Sequence, residues 1–458
     1  MWPQLELLKD FMRVGTIPTR WKIFPGENDV FDTQRYTYVR DVLKYKKERQ
    51  KHKQKERQEE MKKRVNVALL QFINGRTTKT EPILDTQSLK QEAERVKHSN
   101  TQSHFSLFVV EDLSCDVIET LGSTFGIDPR FFRSHIIDYS WNNVRDRWRE
   151  PPMLDLDARK RDWFQLRLIC SRYFSNQEEL GGARKEIDEW NVFRRIDVDN
   201  NEIFWDRDKR TDPKRIVNGR VGHIRSRITF WRASGIGVVI LDPTLRSGHP
   251  LWRGYANWYP LPRFAPGQTP PKDYSHIPPS LRRQKSEQSS KESEHKSPSL
   301  FEDFTFWAQH TEVSQLSAGP LLYAKPLEAM LRLVCVEWLT FTDYINTRLN
   351  QIDWGIANPG FFPDSDSREQ SLKKVHFWRR WIPQCANMFR GNMRQVFNLQ
   401  KEKHDSEIFI PYKEDYESIL DFLKSSEQRL TNLGSVVNSA ISLEDARNTS
   451  KLTALAAA

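Results

Sequence analysis

Two stretches decide how this chain is read: Phe105–Val110, FSLFVV, and Gly235–Leu241, GIGVVIL. The first is a short β-rich run suited to a buried strand, and the second is fully apolar, the pattern of a strand covered on both faces. Outward from the first, Ser114 and Asp116 are placed to cap a helix that carries Val117, Ile118 and Leu121 on one side. Asp128-Pro129 opens a second helix, with Asp as the cap and Pro at the first helical position, where its missing N–H costs nothing. Trp163–Phe174 alternates Phe164, Leu166, Leu168 and Cys170 against Gln165 and Arg167, the period of a strand. Trp190–Val198 and Gly222–Trp231 alternate less cleanly. Strands with interspersed helices predict an α/β or α+β domain, assigned to residues 101–258.

On either side the composition changes. Residues 1–100 read as an irregular extension. It contains a basic run, Lys44–Arg64, with eleven Lys and Arg against four Glu, and a short apolar stretch, Val65–Ile73, followed by a polar link. The run accounts for much of the net charge of +10; its near-absence of apolar residues predicts a solvated helix rather than a nucleic-acid arm. Residues 259–300 hold eight of the chain's 24 prolines and a Ser/Lys/Glu tract, the composition of a linker or loop. From 301 to 458 the pattern is helical. Pro326–Ile352 repeats Leu327, Met330, Leu331, Val334, Trp338, Phe341 and Ile345 every three or four residues. A second helix covers Arg368–Trp381, with Pro383 expected to break or kink it. The last is expected to begin after Pro411. There Tyr416, Leu423, Leu430 and Val437 stand seven apart, with Leu420, Leu433 and Ile441 in the intervening turns, which predicts a long helix packed along a partner helix.

Several function classes lose support at this level. Mean hydropathy is −0.71, and the most apolar window, Leu321–Phe341, carries Lys325, Glu328, Arg332 and Glu337, so no bilayer-spanning helix is expected. Cys115, Cys170, Cys335 and Cys385 lie far apart with no CxxC spacing; reduced thiols and a cytoplasmic location are expected. No GxSxG, P-loop, HExxH or GxGxxG pattern occurs in a strand-turn-helix setting, and a non-enzymatic protein is expected. Glu111-Asp112, Asp155/Asp157 and Asp197/Asp199 are carboxylate pairs of the kind that hard cations prefer, but caps, turns and solvated loops account for them, and no metal site is assigned. His376-Phe377-Trp378-Arg379-Arg380-Trp381 joins aromatic rings to cations; buried rings with arginines reaching water explain it better than base stacking.

Three features resemble the CorA-like magnesium transporter family, in its divergent fungal branch. Leu107-Phe108-Val109-Val110-Glu111-Asp112-Leu113-Ser114, then Leu121-Gly122, then Gly126-Ile127-Asp128-Pro129-Arg130-Phe131-Phe132 resembles the strand, helix and Asp-Pro-x-Phe-Phe entry of that branch's cytosolic domain. The order of elements, sheet then variable linker then long helices, is similar too. The tail from Leu420 through Ser442-Leu443-Glu444-Asp445-Ala446-Arg447 to Ala456 resembles the lower end of the family's stalk helix. The resemblance implies an α+β fold, an α/β/α-like cytosolic domain with a mixed sheet followed by a stalk-like helix. It marks Glu111, Asp112, Asp128, Pro129, Phe131 and Phe132 as structural motif residues, and Tyr416, Leu420, Leu423, Leu430, Leu433, Val437 and Ile441 as a helix–helix interface. It implies Mg2+ as the ion, where no cofactor is otherwise evident, and as partners a second copy of this chain or a membrane-embedded family member; nucleic acid is not expected. The family's Gly-Met-Asn pore signature does not occur, and Gly391-Asn392-Met393 is a scrambled lookalike, so no pore is expected in these residues. The alternative is a soluble interaction or regulatory protein built on the same scaffold.

Overall fold

The computed structural model describes residues 60–73, 76–98, 104–136, 154–203, 219–251, 299–310, 323–357, 367–398 and 403–457, apart from single positions at 62, 159, 193 and 234. Most of the basic run, the first 59 residues and most of the proline-rich stretch lie outside them. The fold is α+β. Strands β1 (Val67–Ile73), β2 (Arg76–Lys79), β3 (His104–Glu111), β4 (Trp163–Phe174), β5 (Ile196–Ile203), β6 (Gly219–Ala233), β7 (Ile236–Leu241) and β8 (His249–Pro250) make one curled mixed sheet. Its order is β2-β1-β3-β7-β6-β4-β8, with β5 also on β6. Among the paired strands described, β3–β7 is the parallel pair.

These strands read as continuous apolar runs because each alternate residue meets a different helical layer. In β3, Phe105, Leu107 and Val109 face one core while Phe108 and Val110 face another; β1 divides likewise into Ala68, Leu70, Phe72 and Val67, Leu69. Helices α1 (Thr86–His98), α2 (Cys115–Phe125) and α3 (Pro129–Ile136) cover the second face. Ser114 caps α2, its hydroxyl accepting from Val117 N, and Gly126 ends the helix at φ 63°, a left-handed conformation that a side chain would strain. Asp128 accepts the backbone N–H of Arg130 at 2.9 Å, while Phe131 and Phe132 are fully buried. A short helix α4 (Asp155–Ala158) precedes β4, and α5 (Gln177–Asp188) packs Leu180, Ala183 and Ile187 beneath Phe174 and Ile224.

The first face is covered by α6 (Leu300–His310), α7 (Ala324–Ala357), α8 (Ser367–Asn398) and α9 (Lys403–Ala457). One core runs without interruption from Leu107 and Val239 on the sheet through Trp338 and Phe389 to Tyr416 and Leu430. The helical region assigned to 301–458 therefore shares a hydrophobic core with the sheet.

Four expectations need correction. Part of the supposed irregular extension, residues 67–98, belongs to the sheet domain: β1 pairs with β3 along its whole length, and α1 buries only Leu89, Ala93 and Val96, a stripe too narrow to stand out in so polar a sequence. The strand expected from Trp190 begins at Ile196. Pro383 does not end α8, nor does Pro411 mark the start of α9. A proline inside a helix costs about 3 kcal/mol, but Trp381, Ile382, Cys385, Ala386 and Phe389 around Pro383 are all buried, and each large apolar side chain returns about 1.5–3 kcal/mol. The heptad row of α9 is filled from within the same chain: Tyr416 stacks on Phe389 of α8 with ring centroids 5.2 Å apart, and its hydroxyl donates to Leu331 O of α7.

One edge of the sheet is closed by side chains. β8 pairs only with Arg172 and Tyr173 of β4, leaving the outer edge near Gln165 and Arg167 open. There α8 supplies an amide in place of a strand: Asn392 accepts from Arg167 N at 2.8 Å and donates to Arg167 O at 2.6 Å. Gln395 accepts from Gln165 N, and Trp338 Nε1 also donates to Arg167 O. An exposed ladder edge invites pairing with other chains; these side chains satisfy it. Asn392→Ala is expected to orphan the Arg167 N–H at a cost of about 1–3 kcal/mol, read as a lower urea midpoint with an unchanged m-value.

Candidate functional site

The carboxylates singled out from the sequence occupy three different settings. Glu111 and Asp112 end β3. Glu111 accepts from Asn66 Nδ2 at 2.6 Å. Asp112, at φ 60°, is buried and accepts from Arg64 Nη1 at 3.1 Å, Asn191 N at 2.8 Å and Asn191 Nδ2 at 3.0 Å. It thereby ties the segment before β1 and the segment before β5 to the end of the central strand. Asp197 and Asp199 lie on β5 with buried side chains. Asp197 is held by Arg195 at 2.9 Å and Arg225 at 2.7 Å; Asp199 accepts from Tyr344 Oη and Arg348 Nε, both at 2.8 Å. Glu111, Asp112, Asp197 and Asp199 are thus buried or half-buried partners of cations and amides, a correction to the reading of caps and solvated loops. The side chains of Asp155 and Asp157 lie outside the described ones.

No group of three or more His, Cys, Asp or Glu side chains converges to hold a metal among the described residues. Magnesium usually takes one or two carboxylates and several waters, and here Glu111, Asp112, Asp197 and Asp199 already accept from arginine, asparagine or tyrosine. These four do not fit Mg2+. The four cysteines form no disulfide, and burial pushes the Cys335 thiol up to about 12, so it stays protonated.

A second ionic cluster, at the end of β7, was not anticipated. Asp242 and Arg194 are buried and meet in a bidentate pair, Nε–Oδ2 at 2.6 Å and Nη2–Oδ1 at 2.9 Å. Arg194 also donates to His135 O at 2.6 Å and Ile136 O at 3.3 Å, at the C-terminal end of α3. Arg227 adds its backbone N–H to Asp242 and its Nη1 to Ser134 O. His135 Nε2 lies 3.2 Å from Asp242 Oδ1; burial drives this imidazole down to about 4, so the ring is neutral near pH 7. Burial alone would raise the Asp242 carboxyl, but Arg194 and His135 outweigh it and hold it well below the usual carboxylate range. The cluster satisfies the helix end and leaves no room for a substrate. Its chemistry is structural.

The aromatic-basic cluster of α8 divides as expected: Trp378 and Trp381 are buried, whereas Arg379 and Arg380 are exposed. The two tryptophans and Phe341 and Tyr344 of α7 surround His223 of β6, with the Trp381 and His223 rings 4.7 Å apart. Outside this aromatic floor lies a cavity of about 830 Å³. Arg379 and Arg380 from α8 line it together with Arg184 of α5 and Arg195 at the entry to β5. Arg184 and Arg195 escaped notice in the sequence; the alternation Arg195, Asp197, Asp199 against Ile196 and Val198 was a signal, but it was read only as an imperfect strand.

The described part of α9 beyond Val437 stands clear of the body. Val437 is buried, Ile441 is half-buried, and from Ser442 on every described side chain is exposed. Val436 and Leu443 are 52% and 62% exposed. Of the predicted interface, Tyr416, Leu420, Leu423, Leu430, Leu433 and Val437 are buried, and all of these but Val437 belong to the core that this chain's own sheet and helices share. No helix among the described residues is long and apolar enough to cross a membrane. No protein-family model matches the chain, and no curated protein matches it.

Asp242→Asn is expected to leave Arg194 as an uncompensated buried charge and to cost about 3–5 kcal/mol, seen as a lowered unfolding midpoint in denaturant. A pH effect is expected at Glu111 and Asp112, where burial pushes the carboxyls up to about 7 and about 6. These folded values exceed the unfolded ones, so the folded state holds the protons more tightly, and stability falls as pH rises from about 4 to 7. Glu111→Gln should remove the Glu111 share, stabilising the protein by about 1–3 kcal/mol above pH 7 and by little near pH 4.5, in thermal melts across that range.

Proposed function

We propose that this chain is a non-enzymatic scaffold, the cytosolic portion of a CorA-like divalent-cation transporter. The observation that carries the reading is the combination of a layered α/β/α body with a final helix of 55 residues, about 80 Å at 1.5 Å per residue. Its first half is held by α7 and α8; its second half projects from the body as a strut. In a transporter of this kind the strut would transmit the position of the body to a membrane-embedded part and would pack beside the same helix of other copies. Ile441 and Leu443 are the large described apolar residues on the free part for that contact.

The soluble-adaptor reading has one observation in its favour. Glu111, Asp112, Asp197 and Asp199 are all engaged by this chain's own donors, which leaves little for a regulatory cation to bind. On that reading the projecting helix docks another protein and the body senses no ion. Calorimetry with MgCl2 separates the two: heat that a carboxylate substitution abolishes favours ion sensing, and silence favours the adaptor.

Removing residues 438–458 leaves every buried position of α9 in place. The truncated chain is expected to keep its circular dichroism and unfolding midpoint but to sediment as a smaller species than the full chain. An unchanged sedimentation coefficient beyond the loss of mass would count against assembly through the free half of α9.

A further inference from the structure

The cavity beside α8 carries an inference that the scaffold reading does not contain. Its lining includes Arg184, Arg195, Arg379 and Arg380, which come from α5, the start of β5 and α8. Asp197 is the one acidic residue of the lining, and its carboxylate is already shared between Arg195 and the nearly buried Arg225. Arg184 and Arg379 form no ion pair with another described residue. Four arginines from three elements thus line one cavity beside a single, already engaged carboxylate. Such an arrangement raises the local potential and attracts anions. The floor is built: Trp381 is buried against His223 and Phe341, and half-buried Phe377 packs on it with ring centroids 5.7 Å apart. An aromatic floor already packed in place spends little ordering energy on a ligand.

We infer that this cavity binds a polyphosphate anion. Arginine forks match phosphate oxygens in bidentate pairs, several guanidiniums suit a multiply charged anion better than a single carboxylate, and Phe377 offers an apolar surface beside them. At about 830 Å³ the cavity falls in the range of small-molecule sites, roughly 300–1,000 Å³. The phosphate-bearing group could be a nucleoside triphosphate or a polyphosphate without a base, and the measurement distinguishes them.

The test is calorimetry of the full chain with ATP, inorganic tripolyphosphate and adenosine in turn, repeated at raised salt. Saturable binding of ATP or tripolyphosphate that weakens with salt is expected, with no heat from adenosine. Tighter binding of ATP than tripolyphosphate identifies a nucleotide site; equal affinity identifies the phosphates alone as the ligand; both support the site. The double substitution Arg184→Glu with Arg379→Glu should weaken binding about tenfold or more with unchanged circular dichroism, and the milder Arg379→Gln should weaken it less. Lys90→Glu, an exposed charge on α1 across the sheet, should leave the affinity unchanged. Equal affinity in the double variant, or equal losses in the double variant and Lys90→Glu, would overturn the proposal, since diffuse positive charge would then account for the anion binding.

Discussion

A single buried charge pair, Asp242 with Arg194, holds together parts of the molecule that no apolar contact could fix in register. A guanidinium can be taken out of water only if its donors are met. Here Asp242 takes two of them and the last carbonyls of α3 take two more. The same carboxylate receives the backbone N–H of Arg227 on β6. The end of β7, the middle of β6, the end of α3 and the segment entering β5 are therefore placed by one electrostatic constraint. The position of β5 follows from it, and with β5 come Arg195 and Asp197 at the cavity. Burial favours neutral groups throughout this region, and the neutral state of His135 shows it; Asp242 keeps its charge because Arg194 outweighs that burial.

The polar closures elsewhere follow the same logic on a smaller scale. Asn392 does for the edge of β4 what a neighbouring strand would do, and Asp112 joins two chain segments to the tip of β3 in a conformation that Asp tolerates better than most residues. Asp199 binds the sheet to α7 through Tyr344 and Arg348. Each is a buried polar group whose partners arrive from far along the chain.

The helical layer has two parts with different tasks. Up to Leu433 the apolar row of the long helix is packed in the core with α7 and α8. From Ser442 on its described side chains are exposed, and the strut of a larger assembly is the use proposed for that part. The arginine-lined cavity is bordered by His376 and Phe377 of α8, next in sequence to Val375, which lies against Gly434 of α9.

Much of the architecture was legible in local pattern. The runs at 105–110 and 235–241 announced strands covered on both faces, Ser114 and Asp128-Pro129 announced helix starts, and the periodic leucines and aromatics of α7 and α9 announced long helices, because backbone periodicity and capping are properties of neighbouring residues. The narrow stripe of α1 was too faint to stand out from its polar surroundings, and Pro383 misled because intrinsic propensity yields to burial whose extent no local window contains. The occupant of the α9 heptad row, the engagement of the Asp197 and Asp199 carboxylates and the meeting of Arg184 with Arg379 depend on pairs far apart in the chain. Those were decided only by the tertiary structure, since an ion pair or a packed face exists only when the fold has brought its second half into place.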